Sequence, residues 1–288
     1  MVRALLLVNR HARKGKEALD AAIAQLQALD FELFEESTDN PKQLPNVIRK
    51  YRDRADLVII GGGDGTLNAA IEGLVDTKLP LGILPLGTAN DLARTLGIPE
   101  TLPEACQIIA DGKHHAIDVG WVNEKYFFNV ASMGLSVDIT RKLTKQAKKQ
   151  WGVFAYAATA LQVLINSRRF SAEIRMEGRS ATVKTAQIAV GNGRYYGGGM
   201  AVAEDATIDD QRLDLYSLEI EHWWQMLLVL PPMRRGTQHK SKWVQTWQGK
   251  EFFVYTRKPR AINTDGEITT YTPAHFRLIP KALTVFVP

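Results

Sequence analysis

Residues 61–68 read Gly-Gly-Gly-Asp-Gly-Thr-Leu-Asn and follow directly on the apolar run Leu57-Val58-Ile59-Ile60. A buried strand that ends in four glycines and one carboxylate, with helical spacing from Leu67 to Leu74, suits phosphate chemistry. Glycine lets the backbone approach a ligand closely and adopt positive φ without a Cβ clash. The N–H groups of a following helix start attract an anion. A carboxylate inside such a turn would repel phosphates unless a divalent cation lies between them. The turn therefore points to a nucleotide–magnesium site. The rival phosphate loops do not fit. No Gly-Lys pair is followed by Ser or Thr, as a P-loop demands. The dinucleotide spacing Gly-x-Gly-x-x-Gly ends on Thr66 from Gly61 and on Asn68 from Gly63.

The elements that must hold this turn alternate in type. Ala4–Val8 and Phe31–Phe34 read as strands, and Lys16–Leu29 and Gln43–Arg54 as helices. Leu81–Leu84 is a further strand closed by Pro85, and Leu86-Gly87-Thr88-Ala89-Asn90-Asp91 is a second strand-to-helix junction. Thr88 or Asn90 would cap its helix, Asp91 would favour the dipole, and Gly97 and Pro99 would end it. This rhythm predicts an α/β domain with a parallel sheet and helices on both faces, residues 1–117. From 118 to 288 short strand-like runs predict a mainly antiparallel β-sandwich, interrupted by a helical stretch over 141–166. The runs are Asp118–Val122, Tyr126–Ala131, Ala172–Met176, Thr182–Gly191, Leu213–Leu218, Phe252–Thr256 and Leu283–Val287. No flexible linker separates the halves, so the site is expected in a cleft between them, with the last strand free to return to the first domain.

Composition limits the partners. Thirty-six Lys and Arg against 31 Asp and Glu give a net charge of +5 and a pI near 9.2, which admits nucleotide, anionic membrane or nucleic acid. The charge is spread and no nucleic-acid module is recognisable, so nucleic acid is not expected as a partner. The single Cys106 rules out a disulfide framework and a cysteine zinc site, and fits a reducing cytoplasm. No run approaches a transmembrane length.

Four segments read together carry a resemblance: the 61–68 turn, the Leu86–Asp91 junction, Gly191-Asn192-Gly193-Arg194-Tyr195-Tyr196-Gly197-Gly198-Gly199-Met200, and Thr264-Asp265-Gly266-Glu267. In that order they resemble the diacylglycerol kinase catalytic-domain family, in particular its soluble bacterial lipid kinases, related to sphingosine kinases and NAD kinases. The resemblance implies an ATP- and Mg²⁺-dependent kinase that phosphorylates the hydroxyl of a diacylglycerol-like lipid. It also implies that Gly62, Gly63, Asp64, Gly65, Thr66, Leu67 and Asn68 hold the ATP phosphates, with Thr88, Thr38 and Asn9 contacting the nucleotide. Arg10 stands where the family has proline, and Arg13, Lys14 and Lys16 lie near enough to meet phosphates. The family's catalytic base lies in the Asp-Gly-Glu triplet. Glu267 is expected as proton acceptor with Asp265 as its partner, and Asp64 and Asp91 complete an acidic network around the metal. A structural magnesium is implied at Asp210 with the carbonyls of Thr207 and Arg212, although Gln211 stands where the family has glycine. By itself, Thr-Asp-Gly-Glu is simply a hairpin turn signal.

A lipid kinase without a span must reach a membrane surface from the cytoplasmic side. Two stretches place bases beside aromatics: Arg141, Lys142, Lys145, Lys148 and Lys149 before Trp151, Phe154 and Tyr156, and the run Trp223–Leu230 followed by Arg234, Arg235, Lys240, Lys242, Trp243 and Trp247. A homodimer remains open. The alternatives are an NAD or sphingoid-base kinase of the same fold, and a nucleotide- or lipid-binding regulator without turnover.

Overall fold

The unbroken apolar run after Arg3 folds as strand β1 (Val2–Val8), buried from Ala4 onward. A computed structural model of the chain describes residues 1–8, 15–36, 40–142, 162, 165 and 168–288. Strands β3 (Leu57–Gly62) and β4 (Leu81–Pro85) are buried at every position, as expected of parallel strands covered on both faces. With β2 (Phe31–Glu36) they form a parallel sheet ordered β2-β1-β3-β4. Helices α1 (Gly15–Ala28), α2 (Leu44–Lys50) and α3 (Asp64–Thr77) make the crossovers. The chain steps outward from β1 to β2 and then returns past β1 to β3. Right-handed connections therefore put α1 on one face and α2 and α3 on the other. Helix α2 packs on α3, where a Cβ on Gly73 would lie 2.7 Å from the Pro45 Cα. Helix α1 packs on α5 (Leu102–Asp111), which follows the short α4 (Asp91–Thr95). The reversal of direction between β1 and β3 opens a crevice at their carboxyl ends, where open α/β sheets take ligands. The 61–68 turn lies there, with Gly61 in register with Val8.

The second half is antiparallel. Strands β5 (His114–Val122), β6 (Lys125–Phe127) and β7 (Val130–Gly134) lead into α6 (Leu135–Lys142). Then come β8 (Phe170–Met176), β9 (Arg179–Thr185), β10 (Gln187–Gly191), the hairpin β11 (Tyr195–Tyr196) and β12 (Met200–Ala201), and β13 (Leu213–Leu218). Helix α7 (Gln225–Arg235) precedes β14 (Val244–Gly249), β15 (Glu251–Thr256), β16 (Ala261–Thr264), β17 (Glu267–Tyr271) and β18 (Ala274–Phe286). One sheet runs β14-β13-β10-β7-β16-β17. It faces β15, β8 and β18 across a core that includes Ile188, Val190, Leu215, Ile174, Phe252 and Phe276. Strand β18 pairs antiparallel with β5 along most of its length, and its Val285 pairs parallel with Leu81 of β4. The parallel sheet thus continues through β18 into β15, β8 and β9 as one hydrogen-bonded sheet, while the six-stranded sheet of the second half is separate from it. Strand β5 runs through residue 117, so the expected division falls inside a strand.

Not every expected run is a single strand, and Tyr126–Ala131 divides between β6 and β7. The 182–191 run breaks into two strands at Ala186, whose N–H bonds Leu218. The apolar run after Trp224 is a helix that accommodates Pro231 and Pro232. Most of the 141–166 stretch, with Lys145, Lys148, Lys149, Trp151, Phe154 and Tyr156, lies outside the described residues.

Candidate active site

The glycine turn works by close approach, not by unusual dihedrals. Gly61, Gly62, Gly63 and Gly65 all lack positive φ, which corrects that expectation. Instead, a Cβ built on Gly87 would lie 2.5 Å from the Gly63 Cα and 2.6 Å from the Asn90 Oδ1. The two strand-to-helix turns press backbone to backbone, so Thr88, exposed at the second turn, sits beside the first. Helix α3 begins at Asp64, earlier than its apolar spacing suggests, with Gly63 as N-cap. Gly65 faces open space, and a Cβ added there would meet nothing within 4 Å among the described residues. Leu67 turns into the core and its N–H already bonds Gly63, so its side chain offers a ligand nothing.

The junction helix α4 has no side-chain cap of its own. Asn90 takes a left-handed conformation at φ 49° and closes its loop on Gly87. The cap comes from the first turn: Asp64 Oδ1 accepts the Leu92 N–H at 3.1 Å. Asn129 Nδ2 reaches the same oxygen at 3.5 Å. Asp91, buried at the start of α4, accepts the Gly198 N–H at 3.0 Å through Oδ2. The three glycines 197–199 all hold positive φ, and a Cβ on Gly199 would meet the Arg94 guanidinium at 2.8 Å. The Asp91 Oδ1 is buried without a hydrogen-bond donor among the described residues, and Arg94 stands 3.9 Å away. Burial first, and the Asp64 charge among the lesser causes, push the Asp91 carboxyl up from its ordinary value. The Asn129 Oδ1 is likewise buried and unpartnered among the described residues.

Asp265 joins the halves. With Gly266 it forms the two-residue turn between β16 and β17, both residues at positive φ, which is the hairpin read from sequence. The same turn aims its carboxylate inward. Oδ2 accepts the Phe128 N–H at 2.7 Å and Asn68 Nδ2 at 2.9 Å, while Oδ1 accepts the N–H groups of Asn129 and Val130, both at 3.0 Å. Burial pushes this carboxyl up to about 6, which the four donors only partly offset. Asn68, expected at phosphate, is thereby committed to Asp265 and the Tyr126 carbonyl. Glu267 stands exposed on β17, paired through its backbone with Thr264, and its side chain makes no hydrogen bond or ion pair among the described residues.

The structure thus brings together Gly62–Asn68, Thr88, Asp91 and Asp265, and Glu267 follows Asp265 at the start of β17. Asn9, Thr38, Arg13 and Lys14 lie outside the described residues, as does the side chain of Lys16. The loop of Thr207, Asp210 and Arg212 is elsewhere, behind the site. Asn192 is the link: it bonds the carbonyls of Phe128 and Asp118, and the buried Asp118 carboxylate accepts the N–H groups of Gln211 and Lys281. Gln211 takes φ 57°, the conformation its glycine-like position demands.

The Asp210 loop does not fit the magnesium expected there. Both Asp210 oxygens accept backbone N–H groups, from Thr207 and Arg212 at 3.1 Å each. The Arg212 guanidinium lies 3.3 Å from Asp210, 3.5 Å from Asp214 and 2.9 Å from Asp205. A side-chain cation already stands beside the Asp210 carboxylate, so its repulsion opposes a second one. Sequence reading missed Asn129, which bonds Asp64 and Asp265 and accepts from Asn192 through its carbonyl. Its neighbours Phe127-Phe128-Asn129-Val130 carry no motif that would single it out.

An open α/β sheet with a glycine turn and an acid cluster at its switch point, joined to an antiparallel sandwich, defines a nucleotide-dependent phosphotransferase fold. Residues 3–122 match the diacylglycerol kinase catalytic domain, and residues 129–287 match the YegS C-terminal NAD kinase beta sandwich-like domain. The chain is 28% identical to the diacylglycerol kinase of Bacillus subtilis over 296 residues, 100% of this chain and 97% of that protein. It is 29% identical over 261 residues to an uncharacterized Synechocystis protein, covering 87% of this chain but 60% of that protein's length. In fold it is similar to a diacylglycerol kinase crystal structure from Bacillus anthracis, with TM-score 0.84, 24% identity, and 99% and 97% of the two chains covered. The chain belongs to the diacylglycerol kinase catalytic-domain family, in its YegS-like bacterial branch, and is a kinase.

Proposed function

We propose that the chain transfers the γ-phosphate of ATP, with magnesium, to the free hydroxyl of a diacylglycerol-like lipid at the cytoplasmic membrane surface. The observation that carries this reading is the unbalanced acid cluster at the glycine turn. Asp64 and Asp91 meet there, and among the described residues neither the buried Asp91 Oδ1 nor the Asn129 Oδ1 beside Asp64 has a donor. An orphaned carboxylate oxygen next to a second carboxylate is a donor set that fits a hard divalent cation. Asp64, Asp91 and Asn129 would hold magnesium, which offsets phosphate charge when bound.

The protein's own groups divide the remaining work. The Gly62–Thr66 backbone and Thr88 line the approach for the phosphates. Glu267, exposed and without a side-chain partner among the described residues, takes the proton of the attacking hydroxyl. Asp265 acts as a positioning residue: with four donors on its two oxygens it has no lone pair aimed at a substrate, and it fixes the turn that carries Glu267. Catalysis is then mainly orientation and electrostatics. The family relatives named for diacylglycerol support the lipid class.

Transfer of label from radiolabelled ATP to a panel of lipids in mixed micelles, with NAD and sphingosine included, tests the reading. A labelled diacylglycerol that vanishes with Asp64→Asn supports it. Label on NAD or sphingosine alone assigns the chain to another acceptor, and ATP binding without transfer makes it a regulator.

A further inference from the structure

Residues 222–250 contain no Asp or Glu, five Lys or Arg, and four of the chain's six tryptophans. The fold gathers much of this segment onto one surface. Helix α7 buries Gln225, Val229 and Met233 on its inner side. Its outer side leaves Trp223, Trp224, Leu227 and Leu228 between 44 and 59% exposed, at a spacing that puts them on one helical face. Single exposed leucines are ordinary, but four adjacent large apolar side chains are a patch that asks for a partner. The patch is held rigid. Gln225 Oε1 accepts the N–H groups of Glu221 and His222, and the Trp224 ring stacks on His222 and meets Trp243 edge-on.

The rim decides the partner. Arg234 and Arg235 are exposed in the last turn of α7, and Lys242 lies over the Trp243 ring at 5.0 Å. These three make no ion pair among the described residues, whereas Lys240 pairs with Glu204. Indoles beside unpaired bases match the two chemistries of an anionic lipid surface, the headgroup boundary and the phosphate layer. Below the patch, α7 packs on β12, and Gln238 donates to the carbonyls of Ala201 and Val202. The same hairpin carries Gly198, which donates to Asp91. The surface is therefore one packed layer from the acid cluster.

We propose that the α7 face, Trp223, Trp224, Leu227 and Leu228 with Arg234, Arg235 and Lys242, docks on an anionic phospholipid bilayer. This deepens the lipid-kinase reading by naming how the site reaches its substrate. The test uses the full chain with vesicles of phosphatidylcholine alone or mixed with phosphatidylglycerol, read by co-sedimentation and tryptophan fluorescence. Binding to the anionic vesicles should be at least about tenfold tighter and should weaken with salt. Trp223→Ala/Leu227→Ala/Leu228→Ala should lose about tenfold or more on those vesicles. Arg234→Gln/Arg235→Gln/Lys242→Gln should lose the preference for phosphatidylglycerol. Both sets are exposed, and circular dichroism checks that they fold. Unchanged vesicle binding in both variants overturns the proposal. So does a dimer in light scattering that the apolar variant dissolves, with no vesicle binding, because the face is then a contact between copies. Phosphorylation of a water-soluble short-chain diacylglycerol separates the two readings. If vesicles bind but no acceptor is labelled, the docking surface stands and the kinase assignment fails.

Discussion

Two loops in this chain hold aspartates among backbone N–H donors, and they differ in where the positive charge comes from. At the glycine turn, Asp64 and Asp91 share a site with one oxygen unpaired and, among the described residues, no cation within hydrogen-bond reach. Behind it, Asp205, Asp210 and Asp214 surround Arg212. Acid of similar density thus serves opposite ends. One cluster is left electrostatically incomplete and suits a diffusible cation with its phosphates. The other is balanced in charge by its own guanidinium, whose Nε and Nη2 lie at ion-pair distances without hydrogen-bond geometry. What separates them is a partner, and neither motif reads it out alone.

The contrast is sharpened first at Asp64. Asp64→Asn should cut phosphate transfer by about 10²–10³-fold, the scale of losing a charge-stabilising group, with thermal stability nearly unchanged. A loss of fold instead would make Asp64 chiefly a cap for α4. Asp265→Asn comes next. Its amide can serve fewer of the four donors, so denaturant unfolding should show a loss of about 2–4 kcal/mol. The pH profile gives an independent readout. The carboxyl is raised from 3.8 to about 6 on folding, so its contribution to stability is fully present below 3.8 and is lost as pH rises to about 6. The wild-type curve should carry that descending component and the variant should lack it.

Arg212→Met should cost about 2 kcal/mol, less than the break of a fully buried pair because the side chain is a quarter exposed. Magnesium should then recover part of the lost melting temperature in the variant, a gain beyond any that the Asp64 and Asp91 cluster gives the wild type. A wild-type gain abolished by Asp210→Ala would break the contrast, because both loops would then be metal sites. Gln211→Gly relieves a left-handed residue and should stabilise by about 0.5–1 kcal/mol. Smallest is Gly65→Ala, where a Cβ meets nothing, so stability should move by less than about 0.5 kcal/mol. A fall in ATP affinity without that change would report a ligand approaching this backbone.

Local chemistry carried much of this protein. The buried runs of β1, β3 and β4 are visible as unbroken apolar segments because parallel strands are covered on both faces. The glycine turn, the Thr88 junction and the Asp265-Gly266 hairpin are legible because backbone geometry restricts the residues that can form them. Contacts between segments distant in sequence leave no such mark. Asn129 acquires its place from β6, β7 and the 191–193 loop, and α4 is capped by an aspartate 28 residues away. Residue types and their order were enough to say which segments turn, which are buried and which acids were available. It took the folded chain to hold Asp265 with four donors, to leave Asp91 an open oxygen and to close the Arg212 loop on itself. Those outcomes depend on which donors and charges converge in space, and pairing across nearly two hundred residues is set by packing, not by neighbours in the chain.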